Sequence, residues 1–222
     1  MEFLKSIQNL FFPARGLCYL CRENSPGKEY AHICQDCFNL LEPVHKEIDI
    51  DSAFLTKIYY TLVYNRYMRD IIRDYKFHGK SYLYKPLGEL MLRTIEAKSL
   101  GEGIDLILYM PAHRRKEAKR GYNQAELLAT YIGKELEIEV SHNNLVKTRY
   151  TKDQNKLSKL ERMTNLRGAF TIRNREGIRG KRILLIDDII TTGTTMDEAS
   201  RILIKNEARE VLGLALTSSR KL

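Results

Sequence analysis

The chain of 222 residues, 43% of them hydrophobic, suits one well-buried core with a small appendage. No run reaches the roughly 18 apolar residues that cross a bilayer, and Glu2, Lys5 and Gln8 interrupt the apolar N-terminus, which predicts no membrane insertion, no signal peptide and a cytoplasmic protein. The net charge of +9 favours anionic partners without separating nucleic acid from phosphorylated small molecules.

All four cysteines fall in two Cys-x2-Cys knuckles, Cys18/Cys21 and Cys34/Cys37, with twelve residues between them. Each tight turn sets both sulfurs on one side, so the two pairs read as a tetrahedral thiolate site for structural Zn2+. Disulfides fit poorly with a missing signal peptide, and a redox pair needs only one knuckle. A closed four-thiolate site has no open position for chemistry, and His32 beside it is left out of the ligand set. The spacing predicts a zinc-binding module over residues 1–50 whose stability depends on the metal, followed by a domain over 51–222.

Leu55–Tyr64 reads as a strand, its tyrosines Tyr59, Tyr60 and Tyr64 fitting packing better than base stacking. Tyr67–Phe77 reads as a helix with Met68, Ile71, Ile72 and Tyr75 inward, closed by Lys76-Phe77-His78-Gly79-Lys80. A second helix is predicted over Lys85–Lys98 with Pro86 in its first turn. Asp105–Met110 is the next buried strand, and the turn Pro111-Ala112-His113-Arg114-Arg115 follows at its carboxyl end. Ala112, His113 and Arg114 there are candidate pyrophosphate contacts. A helix follows Arg120-Gly121-Tyr122-Asn123-Gln124, with Ala125, Leu128 and Ile132 inward.

Two basic stretches are predicted as loops around the sheet. Between His113 and Gly121, Arg114, Arg115, Lys116, Lys119 and Arg120 face the single acid Glu117; from Lys147 to Arg167 seven bases face two acids.

Ile183 to Ile186 is an aliphatic run of the kind buried in a parallel sheet; Asp187 and Asp188 end it, and Thr191, Thr192, Gly193, Thr194 and Thr195 form a hydroxyl-rich turn before a helix. The acids can hold two adjacent ribose hydroxyls, or Mg2+ bridging to a pyrophosphate, and the turn can take a phosphate beside a helix N-terminus. Thr195 and Glu198 have capping-box spacing. With a further strand near residue 211, strands and helices alternate, which predicts an α/β domain with a parallel sheet.

All thirteen positions from Ile183 to Thr195 resemble the phosphoribosyl pyrophosphate (PRPP) loop of type I phosphoribosyltransferases, with Thr194 where many members carry alanine. Arg120-Gly121-Tyr122-Asn123-Gln124 resembles the Arg-Gly-Phe-Asn-Gln segment of the ComF family. The pattern Thr151, Gln154, Leu157, Glu161-Arg162, Asn165, Gly168-Ala169-Phe170 is similar to that family's flexible loop. The resemblance implies a type I phosphoribosyltransferase-like α/β sheet flanked by helices, behind a four-cysteine zinc module. It implies PRPP binding with Mg2+ at Asp187 and Asp188, with transfer activity left open, and a competence role in DNA uptake and natural transformation beside a DNA helicase. Single-stranded DNA is then an expected partner through the basic residues Arg115, Lys119, Arg120, Lys152 and Arg162. The alternative is a metabolic phosphoribosyltransferase that joins a nitrogenous base to PRPP; a PRPP sensor is a third reading.

Overall fold

The computed structural model describes residues 16–149 and 166–219. Lys152 and Arg162, and the loop pattern from Thr151 to Asn165, lie outside the described residues. In chain order the elements are α1 (Gln35–Leu41), β1 (Pro43–Ile48), β2 (Lys57–Val63), α2 (Arg66–Phe77), a 3₁₀ turn (Ser81–Leu83) and α3 (Tyr84–Ala97). There follow β3 (Leu106–Tyr109), α4 (Arg114–Arg120), α5 (Gln124–Leu136), β4 (Leu145–Lys147), β5 (Phe170–Ile172), β6 (Arg182–Ile190), α6 (Thr194–Lys205) and β7 (Glu210–Ser218).

The main sheet has the order β1-β2-β7-β6-β3. β2, β7, β6 and β3 are mutually parallel, as the alternating pattern requires, whereas β1 pairs antiparallel with β2 at the edge. β1 lies N-terminal to the expected boundary at residue 50, yet it completes this sheet. β4 and β5 form a separate antiparallel pair. Ile183, Leu184, Leu185 and Ile186 are fully buried, as expected for a strand covered on both faces. α3 and α5 pack together on the sheet, and α6 packs on β7 and β5.

Two local expectations are corrected. Asp187 and Asp188 do not lie beyond the strand: β6 runs on to Ile190 because β7 continues beside it, pairing Ile189 with Thr217 and Ile190 with Ser218. β3 is shorter, stopping at Tyr109 opposite Ile186, so the sheet opens next to the two acids. The basic segment after His113 is helical rather than a loop. The His113 side chain accepts from the Arg115 amide at 3.2 Å to start α4, and Gly121, with φ of +85°, stops it.

The N-terminal module rests on α2 and α3. Glu89 of α3 accepts from the Ala31 amide at 2.7 Å and meets His32 Nδ1 at 3.1 Å. Arg22 donates to the Tyr82 hydroxyl at 2.5 Å, and the Tyr67 hydroxyl of α2 donates to Cys37 Sγ at 3.2 Å. Tyr30 and Phe38 stack at 4.6 Å to form the module's small aromatic core.

Candidate phosphoribosyl and metal sites

The carboxyl ends of the parallel strands surround a cleft of about 560 Å³, reached by Tyr64 after β2, Asp187, Ile189 and Ile190 from β6, Thr191 and Gly193 from the turn after it, Thr195 and Met196 from α6, and Ser219 after β7. Ligands bind at this edge in open α/β sheets. Six basic side chains line it, Arg69, Arg73, Lys76, Lys116, Arg120 and Lys147, against the single carboxylate of Asp187. The cleft is therefore built for an anion. A smaller cavity of about 140 Å³ adjoins it, where Ala112 faces Asp187, Asp188 and Thr195.

The two acids are chemically unequal. Lys76 Nζ lies 3.0 and 2.8 Å from the two carboxylate oxygens of Asp188, so that charge is already balanced. Asp187 accepts from the Asp188 amide at 2.8 Å and lines the cleft. Burial pushes its carboxyl above the usual carboxylate range; the Asp188 charge adds to the rise, and Lys76 works against it. A half-buried carboxylate beside another one gains from a cation or from hydroxyl donors. Across the cleft, Lys147 is brought down to about 8 by burial, with Lys116 adding to the effect.

Gly193 has φ of +80° and is buried, so the turn places backbone rather than a side chain against the cleft. Thr191, Gly193 and Thr195 line the cleft, while the hydroxyls of Thr192 and Thr194 bond to each other at 2.8 Å. α6 starts at Thr194 with Gly193 as N-cap and no side-chain cap, so Thr195 falls inside the helix and the expected capping box does not form. Glu198 instead accepts from the Gly168 amide at 3.0 Å and from Arg201 Nε at 2.7 Å.

Of the other expected contacts, Ala112 and Arg120 reach the acids' side of the sheet. Arg114 lines a separate small cavity with Glu117, Lys147 and Arg173. His113 serves as the cap of α4, and Arg115 and Lys119 are not among the residues lining the main cleft. The segment Arg120 to Gln124 has a positioning role its residue types do not announce. The Tyr122 hydroxyl and Gln124 Nε2 both donate to the Tyr75 carbonyl, at 2.5 and 3.3 Å. The Tyr75 hydroxyl returns a bond to the Gln124 carbonyl at 2.9 Å, and Asn123 Nδ2 donates to the Met110 carbonyl at 3.1 Å. One segment thus fixes the end of α2, which carries Lys76, and the start of the Pro111–Arg115 turn. Sequence reasoning missed Lys76, Lys147, Arg69 and Arg73 as cleft residues. The only signal was the surplus of bases near the ends of elements.

The four cysteine sulfurs lie within 4.8 Å of one another and can hold a metal ion. Cys21 Sγ and Cys34 Sγ are 3.8 Å apart, about the edge of a tetrahedron with metal–sulfur bonds of roughly 2.3 Å. Burial pushes the Cys34 and Cys37 thiols up. For Cys21 burial also works upward, but the backbone amides of Asn24 and Glu23, together with the neighbouring Cys18 and Cys37, outweigh it and hold the thiol at about 7. His32 is engaged with Glu89 and Tyr19 rather than with the sulfurs.

Residues 118–221 match the family described as phosphoribosyl transferase domain. Competence protein F of Haemophilus influenzae is 26% identical over 217 residues, covering 91% of this chain and 90% of the relative. Competence protein ComFC of Bacillus subtilis is 28% identical over 219 residues, covering 95% and 87%. The DNA utilization protein YhgH of Escherichia coli O157:H7 is 30% identical over 144 residues, which span 64% of this chain and 63% of that relative.

Proposed function

We propose that the chain, which is similar to competence protein ComFC of Bacillus subtilis and matches the phosphoribosyl transferase domain over residues 118–221, is a ComFC-like protein whose cleft binds PRPP with Mg2+ and that it acts in competence. One observation carries the proposal: Asp187 and the Thr191–Thr195 turn meet in a cleft with six basic side chains. The turn and the start of α6 suit the 5′-phosphate. Asp187 would take the ribose hydroxyls or the Mg2+, with Asp188 held by Lys76 as its support. Lys147, Lys116 and Arg120 would neutralise the pyrophosphate, and the cation would supply further charge stabilisation there.

The cysteine module holds a structural zinc in this reading. Its four thiols match the donor set and spacing of such a site, and thiols raised by burial favour a cation that stabilises their anions. The relatives' names, competence protein and DNA utilization protein, support a role in handling DNA; single-stranded DNA and a helicase are the partners this proposal would give it.

Calorimetric titration with PRPP and Mg2+ tests the proposal. Wild type should bind, while Asp187→Ala and Gly193→Val should each lose at least tenfold in affinity. Equal binding by all three would remove the site assignment. Release of pyrophosphate with any single free nucleobase would replace the competence reading with that of a salvage transferase.

A further inference from the structure

The cleft has an aromatic residue at its rim that PRPP does not require. Phe77, the last residue of α2, is 64% exposed although it lines the cleft. The guanidinium of Arg120 stands 5.0 Å from its ring centroid, covering one side of the ring. Arg69 and Arg73 precede Phe77 at four-residue intervals, so the three share one exposed face of α2, about 6 Å apart along the axis. Arg73 has Asp70 at 3.4 Å on an open surface, and the Arg69 guanidinium meets no acceptor among the described residues. Asp74, the remaining acid of this stretch, is engaged by Lys80 at 2.7 Å and by His78 at 2.6 Å, neither of which lines the cleft.

We infer that this face of α2 receives a single-stranded nucleic acid, with one base stacked on Phe77 and the phosphates of the preceding nucleotides on Arg69 and Arg73. An aromatic ring beside a row of cations is the arrangement with which proteins hold single strands irrespective of sequence. Charge decides against a free base as the occupant. A neutral base would satisfy Phe77 but leave Arg69 without a counter-ion and Arg73 with only the exposed Asp70, whereas a strand supplies a base for the ring and phosphates for both arginines. The inference rests on the reading that the neighbouring part of the cleft takes PRPP, and it brings the strand to that site along α2. The interface thereby lies on α2 rather than on Arg115 and Lys119 of α4.

Fluorescence anisotropy of the full chain with a labelled oligothymidylate of twelve nucleotides, and with an abasic strand of the same length, tests this. Wild type should bind thymidylate more tightly than the abasic strand. Phe77→Ala should lose roughly 5- to 150-fold on thymidylate with little change on the abasic strand, and Phe77→Trp should restore binding. Arg69→Ala and Arg73→Ala should each flatten the dependence of log affinity on log salt by about 0.7. All three side chains are exposed, so the variants should keep the fold, checked by thermal unfolding. Equal binding of the two strands by wild type, no binding of either, or an unaltered Phe77→Ala would overturn the inference. A separate PRPP titration of wild type reads the underlying proposal independently: its failure removes the PRPP site, and the strand data still decide the platform.

Discussion

The cysteine module and the cleft both crowd groups that repel one another when ionised, but only the cleft carries its own counter-charge. Four thiols meet within 4.8 Å, and the groups that hydrogen-bond to them among the described residues include the Tyr67 hydroxyl and the backbone amides of Glu23 and Asn24. Two carboxylates meet in β6, and Lys76 arrives from α2 to neutralise one of them. The module should therefore depend on a bound cation to fold, whereas the cleft is assembled beforehand and uses a cation only with its ligand.

Chelation gives the largest test of that difference. Stripping metal should remove hydrogen-exchange protection across residues 16–42, at a cost of several kcal/mol locally. Protection in β6 and β7 should persist. Purified, reduced protein should carry about one zinc per chain. Loss of both regions together, or of neither, would break the comparison.

Next in size is Lys76→Met. It leaves Asp188 without its partner, and because both side chains keep some solvent access the cost should be about 2–3 kcal/mol in denaturant unfolding. Adding Asp188→Asn should recover part of that loss. A double variant no more stable than Lys76→Met alone would mean that the pair does not carry the effect.

A smaller effect belongs to Asn123→Ala, which removes the α5 cap at the Ala125 amide and the bond to the Met110 carbonyl; about 1–2 kcal/mol should be lost. PRPP affinity should fall with it if this segment positions the turn.

The smallest is a pH effect at the joint between the two regions. His45 of β1 meets the Thr94 hydroxyl at 2.8 Å, and burial, with Lys98 adding to it, lowers its pKa. The unfolded chain then binds the proton more readily. Stability should fall as pH drops through about 6.5, and His45→Asn should lose that component. An unchanged pH profile in the variant would assign the acid sensitivity elsewhere.

Legibility in the sequence followed the range of the contacts. The cysteine knuckles are local, so their spacing predicted the cluster that the structure assembles. The run from Ile183 to Thr195 is local too, and it located the acids and the turn, although not the length of β6, which β7 sets from outside. Lys76 lies 112 positions from Asp188, and its sequence context reads only as a helix end. Phe77 and the Arg69–Arg73 face were equally hidden, because Met68, Ile71, Ile72 and Tyr75 show which face of α2 is buried but not that the neighbouring exposed face borders a cleft formed by distant strands. The Arg-Gly-Tyr-Asn-Gln segment stood out as a motif while its work, tying Tyr75 and Met110, depends on two distant carbonyls.

The inequality of the two acids is the central claim, and paired substitution tests it most directly. Asp187→Asn and Asp188→Asn should be compared by PRPP–Mg2+ calorimetry and by thermal unfolding. Asp187→Asn should lose at least tenfold in affinity with stability unchanged or raised, since it relieves a half-buried carboxyl repelled by Asp188. Asp188→Asn should lose stability through the stranded Lys76. The same affinity loss and the same stability change in both variants would contradict the account.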